Sequence, residues 1–142
     1  MSDCVFCDIL AGEAESSRVY EDDRLVGFMD LHPINPGHVL LVPREHASSM
    51  SEVDEDTGAH VFRVAMRMQQ AVRTSGLRTE GINVFVADGE AAGQDVFHFH
   101  LHVIPRFDGD PFTITANWKE APRAELDRTA EQIRAAYEER WA

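Results

Sequence analysis

Basic side chains are scarce in this sequence: 13 Lys and Arg stand against 25 Asp and Glu, for a formal net charge of −12. Proteins that grip nucleic-acid polymers draw their affinity from Lys and Arg on phosphates, so this balance argues against a broad DNA or RNA interface. A small anionic ligand held in a local pocket of histidines and backbone amides is still compatible with it. Long apolar runs are also missing, and none approaches the roughly 20 residues that cross a bilayer as a helix. The opening Met1–Cys7 stretch lacks a basic segment followed by an apolar one, so a cytoplasmic protein without a secretory signal is expected. There is no internal repeat, low-complexity tract or interdomain linker. With 142 residues, 44% hydrophobic and 27% charged, the composition is that of one ordinary domain large enough for a real core.

The patterning points to strands, one helix, more strands and a final helix. Arg18–Glu21 and Leu25–Leu31 are expected to be short strands joined at Asp22-Asp23-Arg24, and His38–Pro43 a third, entered through the Pro33–Gly37 turn. Asp54, Glu55 and Asp56 suit a helix start, and Val61, Ala65, Met68 and Val72 make a stripe at helical spacing that ends near Gly76. Ile82–Val86 and Phe97–Pro105 complete the strands. After Pro122, the residues Leu126, Ala130, Ile133, Tyr137 and Trp141 again repeat at helical spacing. Short connections between strands favour hairpins, hence an α+β fold built on an antiparallel sheet. The whole of residues 1–142 is expected to be one domain, with a core over about 4–106 and a C-terminal extension and helix over about 107–142.

The run Phe97-His98-Phe99-His100-Leu101-His102-Val103 carries the chemistry. Alternation with period 2 would put the three imidazoles on one strand face, about 6.5–7 Å apart, and Phe97, Phe99, Leu101 and Val103 on the other. Three surface histidines would be the bland explanation. Metal chelation by a His-x-His pair and nucleophilic catalysis by a neutral imidazole are the chemical ones. The preceding loop, with Gly89, Gly93 and Gln94, can aim amide N–H groups at an anion and lacks a dense carboxylate cluster. That favours a phosphate pocket over a hard-metal cage. The only cysteines form a Cys4-x-x-Cys7 pair, a spacing that in a cytosolic protein points to metal or redox chemistry. A thioredoxin-like strand-to-helix turn has no counterpart in residues 1–10. Two thiolates need two further ligands to close a tetrahedral zinc site, and His32, His38, His46, His60 and His98 are candidates. His60, on the helix, is expected to be solvated.

The run His98–Ile104, its preceding loop Gly89–Phe97 and the upstream stretch Asp30–His46 resemble the histidine triad family of nucleotide hydrolases and transferases over roughly residues 4–106. The resemblance implies a histidine-triad-like fold, a five-stranded antiparallel sheet with one main helix and a C-terminal helix, paired as a homodimer whose sheets run together. It makes His100 the nucleophile on a nucleotide α-phosphorus, His102 a contact to phosphoryl oxygens and His38 a further active-site histidine. Substrate contacts are implied at Asp30, Asn83, Gly93, Gln94, Asp95 and Val96, with Asp30 on the ribose. A structural zinc site is implied at Cys4, Cys7, His46 and His98. Two departures stand out: Ala87 where Asn is frequent, and Asp95 where Ser or Thr is frequent. The function implied is hydrolysis of a nucleoside 5′-monophosphate derivative, a phosphoramidate or dinucleoside polyphosphate, through a nucleotidyl-histidine. The alternatives are a nucleotide-binding regulatory or scaffold protein and, ranked last, a His-x-His zinc hydrolase. Neither a nucleic-acid polymer nor a membrane is an expected partner.

Overall fold

Five short extended segments form one antiparallel sheet in the computed structural model, which describes residues 2–141. The strands are β1 (Arg18–Glu21), β2 (Leu25–Met29), β3 (Val39–Pro43), β4 (Gly81–Phe85) and β5 (Leu101–Arg106), in the order β1-β2-β3-β5-β4. Three α-helices accompany them: α1 (Val5–Leu10), α2 (Glu55–Thr74) and α3 (Arg123–Trp141). This is the α+β architecture expected. The chain divides into two compact units, one ending at Phe112 and one beginning at Thr113. The second contains α3, which has no buried residue and carries Leu126, Ile133, Tyr137 and Trp141 exposed at helical spacing.

Side-chain alternation gives the sheet two apolar faces. Leu25, Val39, Leu41, Leu101 and Val103 point to one side, against Val61, Val64, Ala65 and Val72 of α2. Val26, Phe28, Leu40 and Val42 point to the other, against Phe6 and Ile9 of α1. Each fully buried Leu, Val or Phe is worth about 1.5–3 kcal/mol in transfer free energy, so both helices are held chiefly by these faces.

Several boundaries differ from the sequence expectation. The second strand ends at Met29 rather than Leu31, and the third begins at Val39 rather than His38, because the turn between them starts at Asp30. The fourth runs over Gly81–Phe85, one residue earlier than expected. The fifth begins at Leu101, not Phe97. Upstream of Leu101 the ladder stops: the His98 ring occupies the Pro43 carbonyl and the Phe99 N–H goes to Ala47 O at 2.7 Å. Helix α1 has no counterpart in the expected elements. It spans 6 residues, too few to show periodicity, and its N-cap is Cys4, whose sulfur accepts from the Cys7 N–H at 3.4 Å. His60 is not solvated as expected; its Nε2 lies 2.7 Å from Asp22 Oδ2, tying α2 to the β1–β2 turn.

The turn into β3 is fixed by Gly37, at φ +100. A Cβ there would strain the backbone and would lie 2.9 Å from Leu77 and 3.1 Å from Pro105. Asn35 secures the same turn, its amide donating to Pro105 O at 2.9 Å and to Asp110 at 2.8 Å. The next residue after Gly37 is His38, so this turn delivers an imidazole to the sheet face that carries α1.

Candidate functional site

His98, His100 and His102 lie on the α1 side of the sheet, while Phe99, Leu101 and Val103 enter the opposite core. The same-face expectation therefore holds although two of the three precede the ladder. Their rings are closer than strand rise alone would give: the centroids of His100 and His102 are 4.9 Å apart.

Fixed backbone partners assign the proton on each ring. A carbonyl can only accept and a backbone N–H can only donate. His98 Nε2 is 2.8 Å from Pro43 O, so it carries the hydrogen and leaves the lone pair on Nδ1. His100 Nδ1 is 2.7 Å from His98 O and donates to it, so the neutral ring presents a bare Nε2. The Ile34 N–H donates to His38 Nδ1 at 3.0 Å, which puts the His38 hydrogen on Nε2. That hydrogen faces His102 Nδ1 at 2.9 Å and Asp30 Oδ2 at 3.4 Å. His102 then keeps its own hydrogen on Nε2 as a free donor. Burial disfavours the charged form of His38, His98 and His102. His102 is pushed down to about 4 by burial first and then by the neighbouring His100 and His38, with Asp30 and Asp95 opposing. Burial likewise lowers His38, against the pull of Asp30. The product is a nucleophile with an exposed lone pair beside an N–H donor suited to an anionic oxygen.

Two groups of potential metal ligands converge here, and proton assignment separates them. Cys4, Cys7, His46 and His98 bring their donor atoms within 4.8 Å of one another. His98 Nδ1, the lone-pair nitrogen, is 3.5 Å from Cys4 Sγ, 3.6 Å from Cys7 Sγ and 3.1 Å from His46 Nδ1. Cys7 Sγ is 3.4 Å from His46 Nδ1. A tetrahedron with Zn–S near 2.3 Å and Zn–N near 2.05 Å has S···N edges of about 3.6 Å and N···N edges of about 3.3 Å. The observed edges fit that ion, and the Cys2His2 donor set suits it chemically. Burial first, then the neighbouring Cys4, raise the Cys7 thiol. The other group, Asp30, His38 and His102, does not fit a metal. His38 Nε2 holds a hydrogen because Nδ1 is already an acceptor, so it has no lone pair to give.

The remaining expected site residues divide. Asp30 sits beside His38, and its Oδ1 also accepts the His32 N–H at 2.9 Å. Gly93, at φ +92, turns the loop, and Asp95 and Val96 follow. Asp95, Val96 and Phe97 join Cys4, Cys7 and His46 around a cavity of about 550 Å³. Gln94 is 95% buried and engaged with its own loop and with Ser48. Its oxygen accepts the Gly89 N–H at 2.7 Å, and its amide donates to Ser48 O at 2.8 Å and Val96 O at 3.1 Å. Asn83 accepts from Arg106 Nη1 at 2.6 Å, and that arginine forks onto Asp110.

Two aromatic rings escaped the sequence reading. Phe85 stacks on His102 with centroids 4.5 Å apart and planes at 12°. Phe6 meets His100 edge-on at 5.0 Å and 86°, and also contacts His98 and Phe28. The available signal for Phe6 was its position between the two cysteines.

A HIT domain family model matches residues 11–109. The chain is 42% identical over 113 residues to an uncharacterized HIT-like protein of Borreliella burgdorferi, which spans 79% of this chain and 81% of that one. It is similar to a Zn-bound histidine triad family protein from Mycobacterium smegmatis, with TM-score 0.74, 37% identity and coverage of 94% and 97%. A histidine triad nucleotide-binding protein from Candida albicans superposes with TM-score 0.86 at 25% identity, with 96% and 99% covered.

Proposed function

This chain belongs to the HIT domain family, and on that premise we propose that it is a nucleotidyl hydrolase working through a covalent intermediate on His100. The substrate class is a nucleoside 5′-monophosphate derivative, a phosphoramidate or a dinucleoside polyphosphate. The observation that carries this reading is the hydrogen bond from His100 Nδ1 to the His98 carbonyl at 2.7 Å, which bares Nε2 for attack. His100 Nε2 forms a bond to the α-phosphorus while the bond to the leaving group breaks, the leaving group departing with the bonding pair and taking up a proton from solvent. Water then takes the phosphorus from the imidazole and frees the mononucleotide. His102 donates its Nε2 hydrogen to a phosphoryl oxygen, where charge develops, and His38 holds that tautomer. Asp30 accepts from ribose hydroxyls. Gly93, Asp95 and Val96 border the phosphate from the loop that Gln94 braces, and Asn83 belongs to the same substrate-contacting set.

Cys4, Cys7, His46 and His98 hold a structural zinc ion in this reading, His98 through Nδ1. Zinc there supplies a fixed tetrahedral junction between the N-terminal segment and the sheet; a closed four-ligand shell leaves no position for water. His100 stands outside that cluster, which disfavours the His-x-His zinc hydrolase. The unpaired edge of β4 and exposed Val84, Phe85, Leu77, Phe62 and Met66 support a homodimer with continuous sheets. Among the described residues no helix is long and apolar enough to cross a membrane. Free Cys4 and Cys7 accord with a reducing cytoplasm.

The test is turnover of a fluorogenic adenosine phosphoramidate. His100→Ala is expected to abolish it in a folded protein that still binds AMP. A near wild-type rate in that variant rejects the covalent mechanism. A wild-type protein that binds mononucleotides tightly but turns over no substrate in a panel is instead a regulatory or scaffold protein.

A further inference from the structure

The four-ligand cluster and the proposed nucleophile are joined by two physical routes. The first runs through the backbone. His98 has both ring nitrogens committed, Nε2 to the Pro43 carbonyl and Nδ1 to the cluster, so its residue cannot pivot. Its carbonyl is the group that accepts the His100 Nδ1 hydrogen at 2.7 Å. The second route runs through α1. Phe6 lies between Cys4 and Cys7, is 94% buried, and sets its ring edge-on to His100 at 5.0 Å.

Helix α1 does not hold this position by itself. It has 6 residues, well under the roughly 12–15 at which an isolated helix becomes even marginal. Its anchors are the Cys4 sulfur at its N-terminus, the Ser2–Asp8 bonds at 2.7 and 2.9 Å, the Arg18 bond to Ile9 O at 2.8 Å, and the packing of Phe6 and Ile9. Two of the four cluster donors are Cys4 and Cys7. Binding an ion there adds coordinate bonds inside S···N edges that already stand near 3.5 Å, and Phe6 is held between the two cysteines.

We propose that this cluster is a positioning device as well as a clip: a zinc ion bound at Cys4, Cys7, His46 and His98 fixes the His100 imidazole for attack through the His98 carbonyl and Phe6. The proposal rests on the nucleophile and ligand assignments made above. His46 is a positioning residue here, exposed at the lip of the cluster, and Phe6 transmits the constraint through its contact with His100. A displacement of the reacting atom by about 1 Å can cost on the order of a hundredfold in rate, so loss of the ion is expected to slow nucleotidylation about ten- to hundredfold.

Zinc-loaded protein, chelator-treated protein and His46→Ala are compared by metal content, AMP affinity, single-turnover labelling of His100 by adenosine 5′-phosphoramidate, and the NMR signal of the hydrogen-bonded Nδ1 proton of His100. Metal loss is expected to slow labelling by that factor, to broaden or abolish the Nδ1 proton signal, and to leave AMP affinity within about twofold. Folded, zinc-free protein with the zinc-loaded rate and an intact Nδ1 signal overturns the proposal. If zinc-free protein does not fold, Phe6→Leu with full metal content decides: slower labelling, restored by Phe6→Tyr, supports it, and an unchanged rate overturns it. If zinc-loaded wild-type protein labels at no site, the hydrolase reading has failed. The Nδ1 proton signal, present with zinc and lost without it or unchanged, then decides the positioning proposal by itself.

Discussion

Gln94 offers the sharpest quantitative prediction, because its buried amide makes three hydrogen bonds, two within the loop that precedes the histidine row and one to Ser48. Replacing it by Ala leaves the Gly89 N–H and the Ser48 and Val96 carbonyls without that partner. A net hydrogen bond is worth about 0.5–1.5 kcal/mol, so three sum to roughly 1.5–4.5 kcal/mol. Water reaches the partly buried backbone partners, which points to the lower part of that range, about 2 kcal/mol. With about 2.1 cal/mol/K of unfolding entropy per residue and 142 residues, the entropy at the midpoint is about 0.3 kcal/mol/K. Tm should therefore fall by about 7 °C in calorimetry. Gln94→Glu should fall further, since a carboxylate has no hydrogen to give two carbonyls and faces both with negative charge. If Gln94→Ala melts with the wild type while turnover collapses, its amide serves the substrate and the bracing role is refuted.

Three further outcomes follow from the same geometry. His38→Phe removes the hydrogen donated to His102 Nδ1 and frees the wrong tautomer of His102, so kcat should fall about ten- to hundredfold with a smaller change in KM. Acid should destabilise the metal-free protein. The unfolded state protonates His102 near 6.5 whereas the folded state holds it at about 4, so stability present above 6.5 is lost as pH falls from 6.5 to 4; urea midpoints across that range should decline, and less steeply in His102→Asn. Protein kept from chelators and metal-affinity resin should carry about one zinc per chain by elemental analysis, and less than about half an equivalent counts against the Cys2His2 site.

The sequence made faces legible more readily than boundaries. Period 2 through residues 98–103 correctly separated the histidines from Phe99, Leu101 and Val103, since side-chain direction follows from extended backbone alone. Phe97, expected with them, lies outside that core and lines the cavity beside Cys4, Cys7 and His46. Where the ladder begins depends on what the neighbouring strand offers, and Pro43 offers its carbonyl to a ring. Helix α2 was readable from Val61, Ala65 and Val72 because a 20-residue amphipathic helix carries its own period. Helix α1 was not, because 6 residues held by a sulfur cap and tertiary packing leave no such trace. Contacts between distant positions were equally silent: His38 meets His102 across 64 residues and Gln94 meets Ser48 across 46. The spacing of Cys4 and Cys7 left metal and redox chemistry open and the resemblance implied His46 and His98 as partners; the fold brings the four donor atoms within 4.8 Å of one another. Asn83 is a substrate contact by resemblance; that its amide oxygen also accepts from Arg106, 23 residues away, left no sign in the sequence.

The proposed intermediate has His100 Nε2 bonded to phosphorus during turnover. Rapid acid-free quench of the enzyme with adenosine phosphoramidate, followed by peptide mass spectrometry, tests it directly. An adenylyl group on His100 is expected to appear before product and to be absent from His100→Ala. Steady turnover without a labelled histidine, or with the label on His98 or His102, contradicts it.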